Sequence, residues 1–470
     1  MPRAVPIGVG GDNVRRSFVA SLLTLGLIGA SCAGGSTAPS PAASSTSSPA
    51  GSAATSGKVP LSAATPKDCP PPAGDVSITM WSSTEAQGNA VEKAMIAEYT
   101  AANPNVHITY TGGLDSNDSN TKFLAAASSG GGPTIVGTNM AQVRVLYDNK
   151  LISPAVPTAM CGSKQQDLID RYVSGTINSY IFDGSVYGLP TQQNSWSFFV
   201  NNRKFTQAGL NLATDIPKTW DQVAALQSKL KKVDANGRIT QKGFEFRTPA
   251  IQWYINMTTD LMWQVQGEFF DAAGNPIWNS DKGVQVLKTW KANIVDPKVT
   301  TNVGNSPYND FANEQDVMSY GGPNAVAFIE SLNAAMKGNI TVAPMPKAGP
   351  GPNFLYGYPA VVNTNATDAQ KAAAWNFLNY MYSDPNRWFK NTGLLQPLKG
   401  WYELPAAKDF NGLPVFISDM TNARALVATT HYSQLQDAWK NAIDRVILQN
   451  QDPKASLDQS IKEYNTAIGK

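Results

Sequence analysis

Charge is scarce in this sequence. Only 15% of its 470 residues are Asp, Glu, Lys or Arg, whereas about a quarter is usual for soluble domains. The 37 basic and 35 acidic residues nearly balance, which argues against a nucleic-acid-binding surface. Asn, Gln, Ser and Thr are plentiful instead, together with 11 Trp and 16 Tyr. Such a composition suits an exported protein that binds neutral polar ligands.

Groups for metal binding or catalysis are equally few. The sequence has two histidines, His107 and His431, and no CxxC, HExxH or GxxxxGK(S/T) motif. We therefore expect no metal, no cofactor and no enzymatic activity.

Three cysteines are present, and one of them, Cys32, ends the N-terminal segment described next. The other two are Cys69 and Cys161. In an exported protein a single remaining pair predicts one disulfide. The alternative, a metal pair, lacks a nearby histidine.

Residues 1–32 have the layout of an export signal. Two arginines at 15–16 precede an apolar run at 18–28 that is too short for a stable transmembrane helix, and small residues follow. The arginine pair also fits a twin-arginine signal. The segment IGASC is similar to a bacterial lipobox, with Gly29 where Leu is usual, so we expect Cys32 to be lipidated. The alternative is cleavage nearby and free secretion.

A tract rich in Ser, Ala, Pro and Gly follows the signal. Residues 33–66 contain a single charged residue, Lys58. Such a segment cannot bury enough apolar surface to offset the entropy lost on ordering. We expect residues 33–74 to be a flexible tether between a lipid anchor and a globular body.

The globular body alternates strand and helix patterns, which predicts an α/β fold with parallel βαβ units. Strands are predicted at DVSITMWSS, NVHITYTGG and PTIVGTN, with helices between them, and further strands at NAVAFIESL, NITVAPMP and FLYGYPAVVN. Later helices are predicted at PKTWDQVAALQSKLKKV, QWYINMTTDLMWQVQG and DKGVQVLKTWKANI, and two more end the chain.

One stretch, GLPTQQNSWSFFVNN at 188–202, places four polar side chains directly before an aromatic strand. Polar residues after a proline usually form a surface turn. The other interpretation is a ligand contact at a strand end.

Six segments taken together are similar to a known family. They are MWSSTE; YGLP with WSFFVNNRKFTQAGL and PKTWDQV; APMPKAGPGPNFLYGYPAVVN; AAAWNFLNYMYSDPNRW; NTGLLQPLKG; and DAWKNAIDRVILQNQDPKASLDQSI. Their order resembles that of the extracellular solute-binding proteins of ABC transporters, the group of maltose-binding and glycerol-3-phosphate-binding proteins. The resemblance runs from about Val76 to the C-terminus.

The resemblance implies two α/β lobes that close over a ligand in the cleft between them. Lobe 1 is expected at 75–193 plus 345–397 and lobe 2 at 194–344 plus 398–470. The amides of the stretch at 188–202 then meet a ligand at the carboxyl ends of parallel strands. The implied function is capture of a carbohydrate and its delivery to a membrane permease, by a monomer anchored at the outer face of the bacterial cytoplasmic membrane.

The family also implies ligand-binding positions, several of which have a structural alternative. Ser83 or Thr84 could cap a helix, Asp115 could be a solvated loop acid, and Trp253 and Trp439 could be core. The expected contacts are Ser83, Thr84, Glu85, Asp115, Thr138, Asn139, Gln193, Asn194, Trp253, Glu330, Ser331, Gly357, Tyr358 and Trp439.

These positions carry no Lys or Arg, which favours an uncharged carbohydrate, a di- or oligosaccharide, over glycerol-3-phosphate or a glycerophosphodiester. Arg424 and His431 are the residues that could reverse that preference. An exported glycosidase would need two carboxylates about 5–10 Å apart across a cleft, and no catalytic signature surrounds Glu85 or Glu330. No feature of the sequence indicates a further alternative, a surface adhesin.

Overall fold

A computed structural model describes residues 69–70, 74–84, 86–173, 175–246, 251–296, 298, 307–400 and 410–470. The export signal, Cys32, the tether up to residue 68 and Glu85 lie outside the described residues. Within the described ranges, no helix is long and apolar enough to cross a membrane. Nor do three His, Cys, Asp or Glu side chains of these ranges group closely enough to hold a metal ion.

Strands and helices alternate from Val76 to Ile169, and the order is mixed after that. The helices are α1 Ala86–Ala102, α2 Ser116–Ser128, α3 Met140–Asp148, α4 Gln165–Ile169, α5 Asn202–Gln207, α6 Trp220–Leu230, α7 Ile251–Gln264, α8 Asp281–Ile294, α9 Pro307–Ala312, α10 Pro323–Leu332, α11 Asp368–Met381, α12 Pro385–Thr392, α13 Leu413–Thr421, α14 Tyr432–Gln449 and α15 Pro453–Ala467.

The strands are mostly short, apart from one long strand late in the chain. They are β1 Val76–Trp81, β2 Val106–Thr111, β3 Ile135–Gly137, β4 Ile152–Ser153, β5 Ile181–Phe182, β6 Ser185–Val186, β7 Leu189–Asn194, β8 Ser197–Asn201, β9 Lys232–Val233, β10 Ile239–Gln241, β11 Met318–Gly321, β12 Ile340–Ala343, β13 Asn353–Asn363 and β14 Ala423–Ala425.

A seven-stranded sheet forms the larger of the two main sheets, in the order β14-β13-β3-β1-β2, with β4 and β7 also paired to β13. Strand β1 runs parallel to β2 and β3, with Met80 opposite Tyr110 and Ile135. The parallel βαβ units predicted from the sequence are therefore confirmed. The long strand β13 is antiparallel to β3, β4 and β7.

A smaller antiparallel sheet has the order β11-β8-β12. Its central strand β8 is buried throughout. Because neighbouring side chains of a strand face opposite ways, Phe198 joins the main hydrophobic core and Phe199 joins a second cluster with Phe311 and Phe416. Because both faces of β8 pack against apolar clusters, β8 forms the middle of this sheet.

The predicted helix at 217–233 begins later than the pattern indicated, at Trp220. Thr219 precedes it and its Oγ1 accepts from the Gln222 backbone N–H at 3.2 Å, while the Gln222 Oε1 accepts from the Thr219 N–H at 3.3 Å. This reciprocal pair is a capping box. The start of the helix is therefore fixed by Thr219.

The strand predicted at NAVAFIESL is wrong, since these residues form α10. Pro323 occupies the first turn, where its missing N–H costs nothing. Ala325, Val326 and Ile329 share the buried face, as helical spacing requires. A short apolar run fits a strand and a buried helix equally well from periodicity alone.

Two chain crossings connect the sheets, and one carboxylate bonds to both. The first crossing runs from β7 to β8 and the second from β12 to β13. Asp419 of α13 accepts from the Ser197 hydroxyl at 2.7 Å and from the Asn353 amide at 3.2 Å. Ser197 and Asn353 are the first residues after the two crossings, so Asp419 links them.

Cys69 and Cys161 form the predicted disulfide, with their Cα atoms 5.6 Å apart. The bond joins the segment that enters β1 to the residue after the 3-10 turn Pro157–Met160. Asn379 of α11 donates to the Cys69 sulfur at 3.4 Å. The segment before β1 is therefore attached both to the turn at Cys161 and to helix α11.

Candidate binding site

A cavity of about 270 Å³ lies at the carboxyl ends of β1 and β3. Ser82, Ser83 and Thr84 follow β1 and line it, and Thr138 follows β3. This is the edge at which open α/β sheets bind ligands. The opposite wall comes from elements that flank the smaller sheet, including Asn324 of α10.

The floor of the cavity is polar and centres on Glu92 of α1, which is 1% exposed. Its two carboxylate oxygens accept from the Ser82 hydroxyl at 2.8 Å and the Thr84 hydroxyl at 2.9 Å, and Tyr110 of β2 also donates to it. Burial raises the pKa of Glu92, against the opposing effect of these hydrogen bonds. The carboxylate is thus held by hydroxyl donors rather than by a cation.

Aromatic rings form a wall of the same cavity. The Trp253 ring stacks on Trp196 with centroids 5.0 Å apart and planes at 28°. Tyr308 meets Trp253 edge-on at 5.3 Å, and Tyr356 and Tyr358 of β13 also line the space. Trp253 is only partly buried, so its ring can meet the C–H face of a ligand.

Amide side chains complete the lining. In β7, Gln192 lines the cavity, and Asn194 donates to the Gln192 Oε1 at 2.9 Å. In α7, Gln252 donates to the Asn256 Oδ1 at 2.8 Å, and both side chains line the cavity. Among the lining residues that the structure describes, Glu92 and Asp115 are acidic and none is Lys or Arg.

Six of the expected contacts lie together at the cavity. They are Ser83, Thr84, Asp115, Thr138, Trp253 and Tyr358. Asp115 also caps α2, because its Oδ1 accepts from the Asp118 N–H at 3.0 Å.

Of the amides in β7, Gln192 lines the cavity, whereas the expected contacts Gln193 and Asn194 do not. Residues 189–194 form β7, whose side chains alternate between faces. Gln192 therefore meets the cavity, whereas Gln193 turns away and binds the Tyr180 hydroxyl at 2.8 Å and the Thr176 carbonyl. Asn194 is buried and supports Gln192 without lining the cavity.

Asn139 and Gly357 serve the fold instead of the cavity. The Asn139 side chain accepts from the Gln142 N–H at 3.1 Å and caps α3. Gly357 faces Gln193 across the β7–β13 pair, and a Cβ atom there would lie 2.4 Å from the Tyr180 hydroxyl. Neither residue lines the cavity.

Glu330 and Ser331 are also not at the cavity. They lie in the last turn of α10, where Ser331 is exposed and its hydroxyl donates to the Phe328 carbonyl at 2.7 Å. The expectation depended on a strand ending at Phe328. Since the segment is a helix, its first turn reaches the cavity, through Asn324.

Trp439 is a core residue. Trp439 is 0% exposed, and its ring centroid lies 5.8 Å from that of Phe269 and 6.3 Å from that of Trp278. It occupies the buried face of α14 with Leu435 and Ile443. The structural alternative for this residue is therefore correct.

Arg424 does not bring a free positive charge to the cavity. Its guanidinium pairs with Glu268 at 2.7 and 2.8 Å and lies 3.7 Å above the Trp263 ring centre. His431 precedes α14 and does not line the cavity either.

Sequence reasoning missed Glu92, Trp196, Asn256 and Tyr356, and within the amide stretch it singled out Gln193 and Asn194 and not Gln192. A signal for Glu92 was available, since it lies between Val91 and Met95 on a face of α1 that also buries Tyr99. A carboxylate within an apolar helix stripe is rarely buried without a partner. For Asn256 no comparable signal exists, because α7 is buried on most of its surface.

Comparison with known proteins agrees with this architecture. A family profile described as bacterial extracellular solute-binding protein matches residues 94–415, more than half of the chain. The chain belongs to this family. Among curated relatives, an arabinooligosaccharide-binding protein of Bacillus subtilis is 25% identical over 224 residues, which are 46% of this chain and 48% of the relative. The chain thus spans about half the length of that relative.

Solved structures share the fold at low sequence identity. The GacH receptor of Streptomyces glaucescens, known unliganded and with acarbose, matches with a TM-score of 0.71 at 18% identity, covering 84% of this chain and 99% of that one. UgpB of Mycobacterium tuberculosis, in complex with glycerophosphocholine, matches with a TM-score of 0.70 at 18% identity over the same shares of the two chains. The predicted two-lobe periplasmic-binding-protein fold of α/β class is therefore confirmed.

Proposed function

We propose that this solute-binding protein captures a neutral di- or oligosaccharide in the cavity and delivers it to the permease of an ABC importer. One observation carries the proposal. The cavity combines a partly exposed Trp253 ring with hydroxyl and carboxylate groups around Glu92, and no described lining residue is a cation. Sugar rings present a flat C–H face for such a ring and hydroxyls for such polar groups.

The relatives support the same class of ligand. Proteins similar to this chain include the arabinooligosaccharide-binding protein and a receptor solved with acarbose. We extend the proposal to location, with Cys32 as the lipidated residue that holds the protein at the outer face of the cytoplasmic membrane and the segment at 33–74 as its tether. The protein acts as a monomer and catalyses no reaction.

A glycerophosphodiester is the second candidate ligand. It is favoured by the N-terminus of α10, where Gly322 provides no side-chain cap and Asn324 lines the cavity. The N–H groups of a helix N-terminus attract phosphate. The relative solved with glycerophosphocholine has the same fold.

Thermal unfolding in the presence of candidate ligands tests the proposal. The purified protein is heated with arabinotriose, maltotriose, mannobiose, acarbose, glycerol-3-phosphate or glycerophosphocholine. A ligand that binds only the folded state stabilises it by about 2.7 kcal/mol at a hundredfold excess over Kd. Stabilisation by a neutral saccharide supports the proposal, and stabilisation by the phosphate compounds alone contradicts it.

Two further measurements examine the rest of the proposal. Small-angle scattering with the saccharide that binds should record a smaller radius of gyration, because the lobes close. Product analysis after long incubation should find that saccharide intact, and its hydrolysis would contradict the assignment as a binding protein.

A further inference from the structure

The hydroxyl groups at the end of β1 have already used their hydrogens. The Ser82 hydroxyl donates to the Glu92 Oε1 at 2.8 Å. The Thr84 hydroxyl donates to the Glu92 Oε2 at 2.9 Å or to the Asn89 Oδ1 at 3.2 Å. A hydroxyl has one hydrogen and two lone pairs, so both residues can offer a ligand only acceptor oxygen.

Thr138, at the end of β3, repeats this arrangement. Its hydroxyl donates to the Oδ1 of Asn120, a buried residue of α2. Thr138 lines the same cavity. Three hydroxyls from two adjacent strand ends therefore present acceptors.

Glu92 fixes the direction of the hydrogen bonds at β1. In the structure the Glu92 carboxyl accepts from both floor hydroxyls, and Tyr110 adds a further donor to the same Oε2 that Thr84 meets. Burial, the Glu92 carboxylate and their hydrogen bond all raise the pKa of Tyr110, so its phenol keeps its proton. With Glu92 at 1% exposure, a hydroxyl that turned its hydrogen toward the ligand would leave a buried carboxyl oxygen with one partner fewer, which is costly.

The amides on the other sides of the cavity have the opposite character. Gln192 uses its Oε1 to accept from Asn194, and Asn256 uses its Oδ1 to accept from Gln252. One lone pair of each amide oxygen is thus in use, and the N–H₂ groups of these two side chains can donate to a ligand. The amides can therefore donate to a ligand, whereas the hydroxyls of Ser82, Thr84 and Thr138 cannot.

We infer that Glu92 is a positioning and specificity-determining residue, which orients the Ser82 and Thr84 hydroxyls so that the floor selects a ligand group that donates hydrogen bonds. This inference rests on the proposed function and narrows it. A sugar hydroxyl donates and accepts, so it satisfies the floor and the amides alike. The phosphate of a phosphodiester only accepts, and is repelled by oxygen lone pairs at the floor.

The isosteric variant Glu92→Gln tests the inference in the full chain. Its amide N–H₂ donates where the carboxyl oxygen accepts, so one of the floor hydroxyls loses its acceptor at this position and the hydrogen-bond directions at the floor change. Calorimetric titration with arabinotriose, maltotriose, acarbose and glycerophosphocholine gives the affinities. We expect the affinity for the saccharide that the wild type binds to fall about tenfold or more. The affinity for glycerophosphocholine should stay the same, so the preference for the saccharide over glycerophosphocholine falls by the same factor.

Control variants separate positioning from a structural effect. Glu98→Gln makes the same change on α1 at an exposed residue paired with Arg387, and should leave every affinity at the wild-type value. Thr84→Val keeps the shape of Thr84 without its oxygen and should also weaken the saccharide, which provides a second readout if Glu92→Gln folds poorly.

The outcomes distinguish this inference from the proposed function. If the wild type binds a saccharide and Glu92→Gln binds it within twofold, the inference is wrong and the proposed function stands. An equal loss for saccharide and glycerophosphocholine also overturns it, because a purely structural role lowers both. Binding of glycerophosphocholine alone by the wild type overturns both statements.

Discussion

Two tryptophans with similar sequence surroundings have different roles in the structure. Trp253 and Trp439 both lie in helices with apolar neighbours, and both fit a stacking role from the sequence alone. Trp253 keeps an exposed part of its ring at the cavity, while Trp439 is fully buried. The difference depends on which helix face meets the cavity.

Alanine at these two positions should therefore give opposite results. Trp253→Ala is expected to weaken saccharide binding by about 1–3 kcal/mol, because the stacking face is lost. Trp439→Ala should leave the affinity unchanged and lower the free energy of unfolding by about 3–5 kcal/mol, as large core deletions do. Calorimetric titration and denaturant unfolding of both variants measure the two quantities. Loss of affinity in folded Trp439→Ala would contradict this assignment.

Site residues that follow a strand directly were predictable. Ser83, Thr84 and Thr138 come after strong strand patterns, and the carboxyl edge of a parallel sheet is a known binding position. The expected contact Gln193 and the observed lining residue Gln192 face opposite sides of β7, because a shift of one residue reverses the face of a strand. The register is fixed by pairing with β13, which lies more than 150 residues away and cannot be read locally.

At the scale of elements, the β7–β13 pair requires close backbone approach at one residue. A Cβ atom at Gly357 would lie 2.4 Å from the Tyr180 hydroxyl and 2.7 Å from the Gln193 Oε1. Both of these side chains are fully buried. The fit of β13 against β7 and Tyr180 therefore depends on a residue without a side chain at position 357.

Gly357→Ala should destabilise the protein by about 1–3 kcal/mol, as overpacking does. The matched control is Gly131→Ala, where the nearest atom to a Cβ is the Ala126 carbonyl oxygen at 3.6 Å, and stability should stay the same or rise slightly. Urea unfolding of both variants measures the difference. Equal stabilities would mean that β13 adjusts freely.

Elements with strong periodicity or caps were predicted well, and the ambiguous one was not. The segment DKGVQVLKTWKANI is helix α8 over its whole length, because its apolar residues keep helical spacing. The segment that forms α10 is apolar at successive positions, and only its packing under the smaller sheet makes it a helix. The mistaken strand prediction placed Glu330 and Ser331 at the site and missed Asn324, which lines the cavity.

For the whole molecule, buried carboxyls near the crossings predict how stability depends on pH. Burial raises the pKa of Asp260, in α7, to about 7 and that of Asp419 to about 6. Asp260 accepts from the Phe354 N–H at 2.9 Å, next to the Asn353 that Asp419 holds. Burial also lowers the pKa of the neighbouring Lys347.

The native state binds the Asp260 proton more tightly than the unfolded chain does. The stability that Asp260 contributes through this proton is therefore fully present below the ordinary pKa of 3.8 and is lost as pH rises to about 7. Asp260→Asn removes this dependence, so the stability difference between wild type and variant should change across that pH window. Unfolding at several pH values measures it, with Asp437→Asn, at an exposed residue of α14, as control. A pH-independent difference would contradict the assignment.

The disulfide should contribute to the stability of the whole body. Cys69 and Cys161 are 92 residues apart in the sequence, and closing a loop of that size in the unfolded chain is worth about 4–5 kcal/mol in the chain-entropy model. Replacing both cysteines by Ser should lower the free energy of unfolding by up to this amount. A reducing agent should shift the unfolding of the wild type in the same direction and leave the double variant unchanged.

The position of the disulfide also determines where mechanical load enters the body. A pull on the chain before residue 69 passes through the sulfur bridge to Cys161 as well as along the peptide toward Val76. Strand β1 therefore cannot be peeled from its amino end by tension while the bridge is intact. Since Ser82 and Thr84 follow β1 directly, the floor of the cavity keeps its geometry when the chain before residue 69 is pulled.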